Sequence, residues 1–227
     1  MDKRKRYFLI IDTETANSLD CPLVYDIGGA IIDKDGKIYK SFSFAIRDIM
    51  VGESDLMQSA YYAEKIPTYW QEIDDKSQPR KLVSFYYAKQ YIKVLLEDYS
   101  TNLYPCTVVA HNARFDLTAL NNTQRWLTKS QYRYFFPYGT EIWDTLTMAR
   151  MIYGNSKSYK NYCKNRGYVT SKNSQPRFTA EILYRYLSGN EDFVELHTGI
   201  DDILIEKEIF KYCLRSHKKY RKTYWVA

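Results

Sequence analysis

An apolar run that ends in two carboxylates constrains this chain more than any other feature. Tyr7–Ile11 is followed directly by Asp12-Thr13-Glu14-Thr15. Apolar side chains at both odd and even positions indicate a strand buried on both faces, as at the centre of an α/β sheet. Asp12 and Glu14 are two residues apart on an extended segment, so both side chains leave the same face. The segment therefore predicts a central strand with an acidic pair at its carboxyl end.

Two further acidic clusters stand at the boundaries of predicted elements. His111-Asn112-Ala113-Arg114-Phe115-Asp116 follows the apolar run Thr107–Ala110, and His197-Thr198-Gly199-Ile200-Asp201-Asp202 stands where an amphipathic segment begins. Strand ends in α/β folds are common places for ligand sites. Carboxylates gathered there cannot all stay ionised without cations. The three clusters together predict a metal site.

Length and cysteine usage describe the broad class. A chain of 227 residues suits one large domain, which we expect to span residues 1–227. The four cysteines are scattered without a C-x-x-C pair, which argues against a zinc site or a disulfide framework and fits a reducing compartment. The basic start Lys3–Arg6 precedes only five apolar residues, too few for a signal peptide, and no run reaches membrane length. We expect a cytoplasmic protein without a membrane partner.

Charge is distributed unevenly along the chain. Between Leu117 and Ala180 there are ten bases and two acids, and residues 211–222 carry six bases and no acid. Asp48–Asp75 has the opposite bias, with seven acids and one lysine. Acidic metal ligands beside basic segments suit a polyanionic substrate that a cation bridges. The alternative, solvated charged faces, stays open for each cluster taken alone.

The periodicity predicts a mixed sheet flanked by helices, an α/β fold. The turn Asp33-Lys34-Asp35-Gly36 predicts a hairpin between the second and third strands. The predicted strands are Tyr7–Ile11, Val24–Ile32, Lys37–Ile46, Cys106–Ala110 and Thr140–Trp143. The predicted helices are Lys81–Tyr99, Arg114–Leu127, Thr145–Tyr153 with Asp144 as its N-cap, Thr179–Leu187, and a last one from Ile200 into the basic tail near 211–227. An irregular acidic insertion with one short helix near Leu56–Glu64 is expected over Arg47–Arg80, and a basic loop over Gly154–Arg177.

The three acidic segments resemble the three exonuclease motifs of the DEDD proofreading-exonuclease family. Asp12-Thr13-Glu14-Thr15 is similar to motif one, His111-Asn112-x-x-Phe115-Asp116 to motif two, and His197-x-x-x-x-Asp202 to motif three. A histidine rather than a tyrosine in motif three marks the DEDDh branch, which includes the proofreading subunit of bacterial DNA polymerase III, RNase T and oligoribonuclease. Asp144-Thr145-Leu146 also looks like a segment that often follows motif two. The resemblance covers about Tyr7 to Phe210 and implies an RNase H-like mixed β-sheet flanked by α-helices.

The resemblance implies a metal-dependent 3′–5′ exonuclease. Its four carboxylates would hold two divalent cations, Mg²⁺ or Mn²⁺, and His197 would act as the general base that activates water. The implied metal ligands are Asp12, Glu14, Asp116 and Asp202. Family spacing selects Asp202 and leaves Asp201 as a charge at the helix N-terminus. Two departures stand out: Gly199 replaces the usual alanine of motif three, and the Arg47–Arg80 insertion is longer than compact members need.

The implied substrate is the 3′ end of a single-stranded nucleic acid. Contacts are expected from residues in or next to the motifs, Thr15, Ala16 and Asn112, and from three bases of the Lys157–Arg177 stretch, Lys160, Lys164 and Arg166. We expect affinity to depend on that basic stretch and not on the acidic insertion. The aromatic segment Tyr132–Tyr138 is compatible with base stacking or with core packing. His111 is interpreted as a structural residue.

Several functional alternatives remain open. DNA is favoured over RNA, but no residue identifies a reader of the 2′-hydroxyl, so a 3′–5′ exoribonuclease is an alternative. A catalytically silent nucleic-acid-binding module on the same fold is another, and an RNase H-like endonuclease or resolvase a third. A polymerase or another replication or repair protein is a candidate partner. The oligomeric state is left open.

Overall fold

The computed structural model describes residue 2, residues 4–216 and the backbone of residues 223–224. The rest of the basic tail, including the predicted continuation of the last helix, lies outside the described residues. The strands are β1 (Tyr7–Ala16), β2 (Leu23–Asp33), β3 (Ile38–Ile46), β4 (Arg80–Val83), β5 (Thr107–Ala110), β6 (Glu141–Asp144) and β7 (Thr223–Tyr224). The helices are α1 (Arg47–Met50), α2 (Ile66–Asp74), α3 (Phe85–Asp98), α4 (Ala113–Thr128), α5 (Thr145–Tyr153), α6 (Lys157–Asn165), α7 (Ala180–Ser188) and α8 (Gly199–Arg215).

The described strands form one mixed sheet in the order β4-β3-β2-β1-β5-β6-β7. Strand β1 pairs antiparallel with β2 and parallel with β5. The pairs β2–β3 and β6–β7 are antiparallel, whereas β3–β4 and β5–β6 are parallel. This arrangement confirms the predicted mixed sheet flanked by helices.

The central strand β1 supplies side chains to two cores, one on each face of the sheet. Because neighbouring residues of a strand point to opposite faces, Leu9 and Ile11 join one core while Phe8 and Ile10 join the other. Helices α3 and α4 cover the first core, and helices α5 to α8 cover the second. Every one of these β1 side chains is buried, as the continuous apolar run predicts.

The acidic pair lies within β1 and not after its end. The strand continues to Ala16, because its pairing with β2 extends to Ala16↔Leu23, whereas the pairing with β5 stops at Ile10↔Val109. After Ala110 the segment that forms β5 leaves the sheet, and α4 begins at Ala113. Asp12 and Glu14 therefore occupy a stretch of β1 that is paired on one side and open on the other.

The predicted start of the Lys81–Tyr99 helix and the predicted irregularity of the acidic insertion before it are both wrong. The residues from Lys81 do not begin a helix: β4 adds a parallel edge strand beside β3, and Ser84 then caps α3 by accepting from the Tyr87 amide at 3.1 Å. The insertion is also more regular than expected. It contains α1, two 3₁₀ turns at Ser54–Ser59 and Ala63–Lys65, and α2. Pro67 falls in the first turn of α2, where proline starts a helix and does not break one.

The expected loop over Gly154–Arg177 is wrong in its first half. Ser156 caps α6 by accepting from the Tyr159 amide at 3.3 Å. Tyr159 and Cys163, one turn apart, are fully buried in the second core. Two apolar anchors among many charges leave too weak a periodic signal to predict this helix. The remainder is a loop closed by an antiparallel bridge between Val169 and Pro176.

The predicted hairpin and one predicted cap are confirmed. Gly36 has φ +81° in the turn between β2 and β3, and the Asp33 carboxylate accepts from the Asp35 and Lys37 amides. Asp144 caps α5 by accepting from the Leu146 amide at 3.0 Å. Within the described part of the chain, no helix combines the length and the apolar character that crossing a bilayer requires.

Candidate active site

Carboxylates from three separate segments meet beside the open stretch of β1. Asp12 and Glu14 come from β1, Asp116 from the first turn of α4, and Asp202 from the first turn of α8. Ligand oxygens of Asp12, Glu14 and Asp202 all lie within 4.8 Å of one another. Glu206, one turn after Asp202, lines the same cavity. The structure thus brings to one cavity the four carboxylates that the resemblance implies as metal ligands, and adds a fifth acid.

Short polar contacts position the start of α4. The Thr13 hydroxyl donates to Asp116 Oδ1 at 2.8 Å, which ties motif two to β1. Asn112 adopts a left-handed conformation (φ 62°), and its backbone amide donates to Asp144 Oδ1 at 3.0 Å. Asp144 therefore serves both α5 and the turn into α4. These contacts place Asp116 next to the acidic pair of β1.

The acidic cluster raises the pKa of its own members. Burial first, and then neighbouring carboxylates, raise the pKa of Glu14 to about 9 and that of Asp202 to about 8. Burial raises the pKa of Asp116 to about 7. The pKa values of Asp12 and Glu206 are also raised well above the ordinary range, by burial and by the surrounding carboxylates. The fully ionised cluster is therefore unfavourable until a cation joins it.

The donor set fits divalent cations. Asp202 Oδ1 and Glu206 Oε2 are buried and have no hydrogen-bond partner among the described residues. Buried oxygens without partners are costly, and a cation would satisfy them. Carboxylate oxygens are also the ligands that hard cations such as Mg²⁺ and Mn²⁺ prefer. Asp12, Glu14, Asp116 and Asp202 are the residues that would hold such ions.

His197 stands at the edge of the carboxylate cluster. Its ligand nitrogen lies within 4.8 Å of carboxylate oxygens of Glu195 and Asp202. Its ring stacks on Tyr62, with centroids 4.2 Å apart and an interplanar angle of 12°. Burial, and then the nearby ammonium of Lys65, lower the pKa of His197 below its usual value. The imidazole is therefore neutral at neutral pH and able to accept a proton.

A close backbone crossing explains the glycine in motif three. A Cβ on Gly199 would lie 2.5 Å from the Gly28 amide nitrogen, and one on Gly28 would lie 1.9 Å from the Gly199 carbonyl carbon. The N-terminus of α8 thus rests directly on β2. The Gly199 amide donates to Asp26 Oδ2 at 3.1 Å. Gly199 is consequently a packing requirement of this chain, and it places Asp202 above β1.

His111 is engaged on three sides by structural contacts. Its Nδ1 lies 2.9 Å from Thr145 Oγ1 and its Nε2 lies 2.8 Å from the Phe178 carbonyl oxygen. Its backbone amide donates to Glu206 Oε1 at 3.1 Å. Because a carbonyl oxygen can only accept, Nε2 carries the proton and Nδ1 accepts from the threonine hydroxyl. His111 joins motif two to α5 and to the loop before α7, in accordance with its interpretation as a structural residue.

The predicted substrate-binding residues occupy different places. Asn112 lines the cavity, while Thr15 and Ala16 lie at the end of β1. Lys160, Lys164 and Arg166 lie on or beside α6 and do not line the cavity. Arg166 donates to the Glu191 carboxylate with two bonds of 2.8 Å. In the aromatic segment, Phe135 and Phe136 are buried in the first core, whereas Tyr132 and Tyr138 are exposed away from the cavity.

Sequence reasoning missed four residues that line the cavity: Tyr62, Arg150, Arg177 and Glu195. Glu195 had a usable signal, since it lies two residues before His197. Arg150 and Arg177 are two of the ten bases between Leu117 and Ala180, and no local pattern distinguishes them from the other eight. Tyr62 had no local signal, because it belongs to the acidic insertion, whose place in the fold depends on tertiary packing.

Comparison with known proteins identifies the class of fold. No protein-family profile and no curated protein sequence matches this chain. The nuclease domain of 3'hExo, a DEDDh family member bound to rAMP, superposes with a TM-score of 0.61 at 15% identity, over 98% of both chains. A 3'-exonuclease in a structure of 3'-end-specific recognition of a histone mRNA stem-loop gives a TM-score of 0.59 at 14% identity, over 98% of this chain and 92% of that one. E. coli Exonuclease I with a dT13 oligonucleotide gives a TM-score of 0.55 at 13% identity, over 94% of this chain and 41% of that one.

The sheet order, the convergent acids and these likenesses define one class of fold. The chain has the RNase H-like fold of the DEDDh 3′–5′ exonucleases. This result confirms the fold predicted from the three motifs.

Proposed function

We propose that the protein is a metal-dependent 3′–5′ exonuclease that releases nucleoside 5′-monophosphates from single-stranded ends. The observation that carries the proposal is the meeting of Asp12, Glu14, Asp116 and Asp202 with His197 at one cavity. These five side chains come from three segments that are far apart in the chain. A protein that only bound nucleic acid would have no need of the whole set.

The proposed mechanism assigns a separate task to each group. Asp12, Glu14, Asp116 and Asp202 would hold two divalent cations, Mg²⁺ or Mn²⁺. When bound, such a pair supplies Lewis acidity at the attacking water and at the leaving 3′ oxygen. The neutral imidazole of His197 takes the proton of the attacking water. Thr13 maintains the position of the Asp116 carboxylate through its 2.8 Å hydrogen bond.

The structural neighbours support a 3′-end substrate, but their structures include both RNA and DNA ligands. One was solved with rAMP, one in recognition of an mRNA stem-loop, and one with a DNA oligonucleotide. We retain single-stranded DNA as the favoured substrate and the exoribonuclease activity as the alternative. A polymerase or repair partner and a cytoplasmic location stay predictions.

A digestion assay on matched DNA and RNA strands tests the proposal. With a 5′ label, we expect a ladder that shortens from the 3′ end, nucleoside 5′-monophosphates as products, and no cleavage after chelation of divalent cations. A strand with a blocked 3′ end is the control and should stay intact. Absence of cleavage would favour the silent binding module. Internal cuts, including cuts in the blocked strand, would favour the endonuclease or resolvase.

Two arginines on the cavity wall are expected to bind the terminal phosphates. Arg150 and Arg177 are exposed, line the cavity and form no ion pair with the described carboxylates. Each phosphate contact on a single strand contributes about −0.7 to the slope of log K against log salt. Arg150→Gln with Arg177→Gln should therefore flatten the slope by about 1.4 units. KM should rise more than kcat falls, because these charges bind ground and transition states alike.

The length of the substrate oligonucleotide distinguishes these arginines from the basic residues on or beside α6. The Arg150 and Arg177 double variant should flatten the salt slope for a trinucleotide and for a dodecanucleotide. Replacement of Lys160, Lys164 and Arg166 by Gln should flatten it for the longer strand only, by up to ~2 units, since these residues lie outside the cavity. An unchanged slope with both lengths in either variant would remove the corresponding residues from the substrate path.

A further inference from the structure

The acidic insertion of residues 47–80 contacts segment 196–199 directly at two places and reaches it through Asp26 at a third. The Tyr62 ring stacks on the His197 imidazole. The Lys65 ammonium donates to the Leu196 carbonyl oxygen. Arg80 forms a salt bridge with Asp26, and the other carboxylate oxygen of Asp26 accepts from the Gly199 amide. The insertion thus acts on the residue before the histidine, on the histidine itself, and on the first residue of α8.

The backbone of His197 needs such support. Its φ is +52°, in the left-handed region that residues with a Cβ seldom adopt. A non-glycine residue in this region is strained and persists only where the surrounding structure over-determines it. The stacking of Tyr62 and the bond from Lys65 lie directly beside this residue. They are the kind of contact that maintains a strained conformation.

The side chain of His197 is oriented by stacking and not by an acid. Glu195 Oε2 lies 3.9 Å from His197 Nδ1, beyond hydrogen-bonding distance. The Tyr62 ring is nearly parallel to the imidazole and only 4.2 Å from it. Face-to-face contact of this kind restricts rotation of the ring about its χ angles. Tyr62 is therefore the contact that defines the plane of the imidazole.

The anchor at Gly199 is rigid because it is buried. Asp26 is fully inaccessible and Arg80 is 3% exposed. The Arg80 guanidinium also donates to Glu72 at 2.6 Å and lies 3.9 Å from the centroid of the Tyr69 ring. Tyr69 and Glu72 both belong to α2 of the insertion. Removing one partner from a buried charge pair is strongly destabilising, so this end of the insertion stays in place.

We propose that the insertion is the element that positions the general base of the enzyme. Tyr62 and Lys65 are positioning residues: they hold segment 196–199 so that the His197 imidazole stays beside Asp202. This inference rests on the proposed function, which makes His197 the base. Under this proposal the insertion contributes to the chemical step and not to substrate affinity.

Substitution of Tyr62 tests the inference. Tyr62→Ala should lower kcat by about 10-fold or more, since a positioned general base contributes roughly 10²–10⁴, with little change in KM. Tyr62→Phe keeps the stacked ring and should restore kcat to within about twofold of wild type. Tyr86→Ala is the control, because Tyr86 is an exposed tyrosine on α3 that does not line the cavity. If Tyr62 instead stacked on a substrate base, its removal would raise KM and leave kcat unchanged, which would overturn the inference.

Histidine NMR gives a readout that needs no activity. The chain has three histidines, so the His197 ring signals can be assigned with a His197→Gln variant. Stacking on Tyr62 should shift the ring protons of His197 upfield in wild type and Tyr62→Phe, and Tyr62→Ala should abolish the shift. Should Tyr62→Ala fold poorly, Lys65→Met removes the bond to Leu196 and should lower kcat by about threefold, again with KM unchanged.

The two proposals fail in different ways. A wild-type protein that digests no 3′ end at any divalent cation would overturn the proposed function. An active wild type whose Tyr62→Ala variant retains full kcat, or whose His197 signals do not change in that variant, would overturn only the positioning role of the insertion.

Discussion

Asp202→Asn is expected to lower kcat by roughly 10³-fold, whereas Asp201→Asn should stay within about threefold of wild type. Loss of one charged metal ligand removes several kcal/mol of transition-state stabilisation, and each 1.36 kcal/mol is about tenfold in rate. Asp202 is 5% exposed and its oxygens lie in the carboxylate cluster. Asp201 instead accepts from the Thr198 hydroxyl at 2.6 Å at the start of α8. Asparagine can keep that bond, at a cost of about 1 kcal/mol or less.

The comparison is made on one labelled strand at saturating Mg²⁺, with circular dichroism and Tm recorded for both variants. Both variants add the same chemical change at adjacent positions, so each serves as the control for the other. If Asp201→Asn were the slower enzyme, the register of motif three would be off by one residue and Asp202 would lose its role as a ligand.

Asp12→Ala should abolish hydrolysis and yet raise the Tm of the metal-free protein at pH 8. Burial and four surrounding acids raise the pKa of Asp12 well above the ordinary range, so the folded state at pH 8 carries an unfavourable group there. Removing it should raise the Tm measurably, since each kcal/mol of added stability corresponds to ~2–4 °C for a domain of this size. Loss of the ligand at the same time removes the cation on which hydrolysis depends.

The sign of the pH dependence follows from the same raised pKa values. Glu14, Asp116 and Asp202 have folded-state pKa values of about 9, 7 and 8, whereas unfolded carboxyls titrate near 4. The folded metal-free protein therefore binds more protons than the unfolded chain between about pH 4 and pH 9, and its stability falls as pH rises through that window. The advantage of Asp12→Ala should be largest at pH 8 and small at pH 5.

Thermal unfolding with and without Mg²⁺ checks this prediction. Saturating Mg²⁺ should raise the Tm of wild type at pH 8 and raise that of Asp12→Ala much less, because binding to the folded state stabilises it by mass action. Glu208→Gln is a suitable control, since Glu208 lies on α8 and pairs with Lys207 and Lys211 outside the cluster. A Tm of Asp12→Ala below that of wild type in the absence of metal would contradict the picture of a crowded acidic site.

The centre of the fold could be predicted from local patterns in the amino-acid sequence, and the carboxylates at it from the resemblance of three segments to known motifs. The short apolar run before Asp12 predicted the central strand, because a strand buried on both faces is apolar at odd and even positions alike. The resemblance of the three acidic segments to the exonuclease motifs implied the RNase H-like fold, and Asp144 predicted the cap of α5. Each strand, cap or motif segment is a local signal: it depends on a few consecutive residues and on where an element begins or ends.

The contact between the insertion and the site could not be predicted from the sequence. Tyr62 and His197 are far apart in sequence, and no local pattern pairs them. The short strand β4 exists because β3 offers it an edge, and α6 exists because Tyr159 and Cys163 fill the second core. The departure of Gly199 from the usual motif likewise has a tertiary reason, because the backbone of Gly28 packs directly against it. Such contacts depend on which surfaces meet when elements pack, and packing between distant segments leaves no periodic trace in either segment.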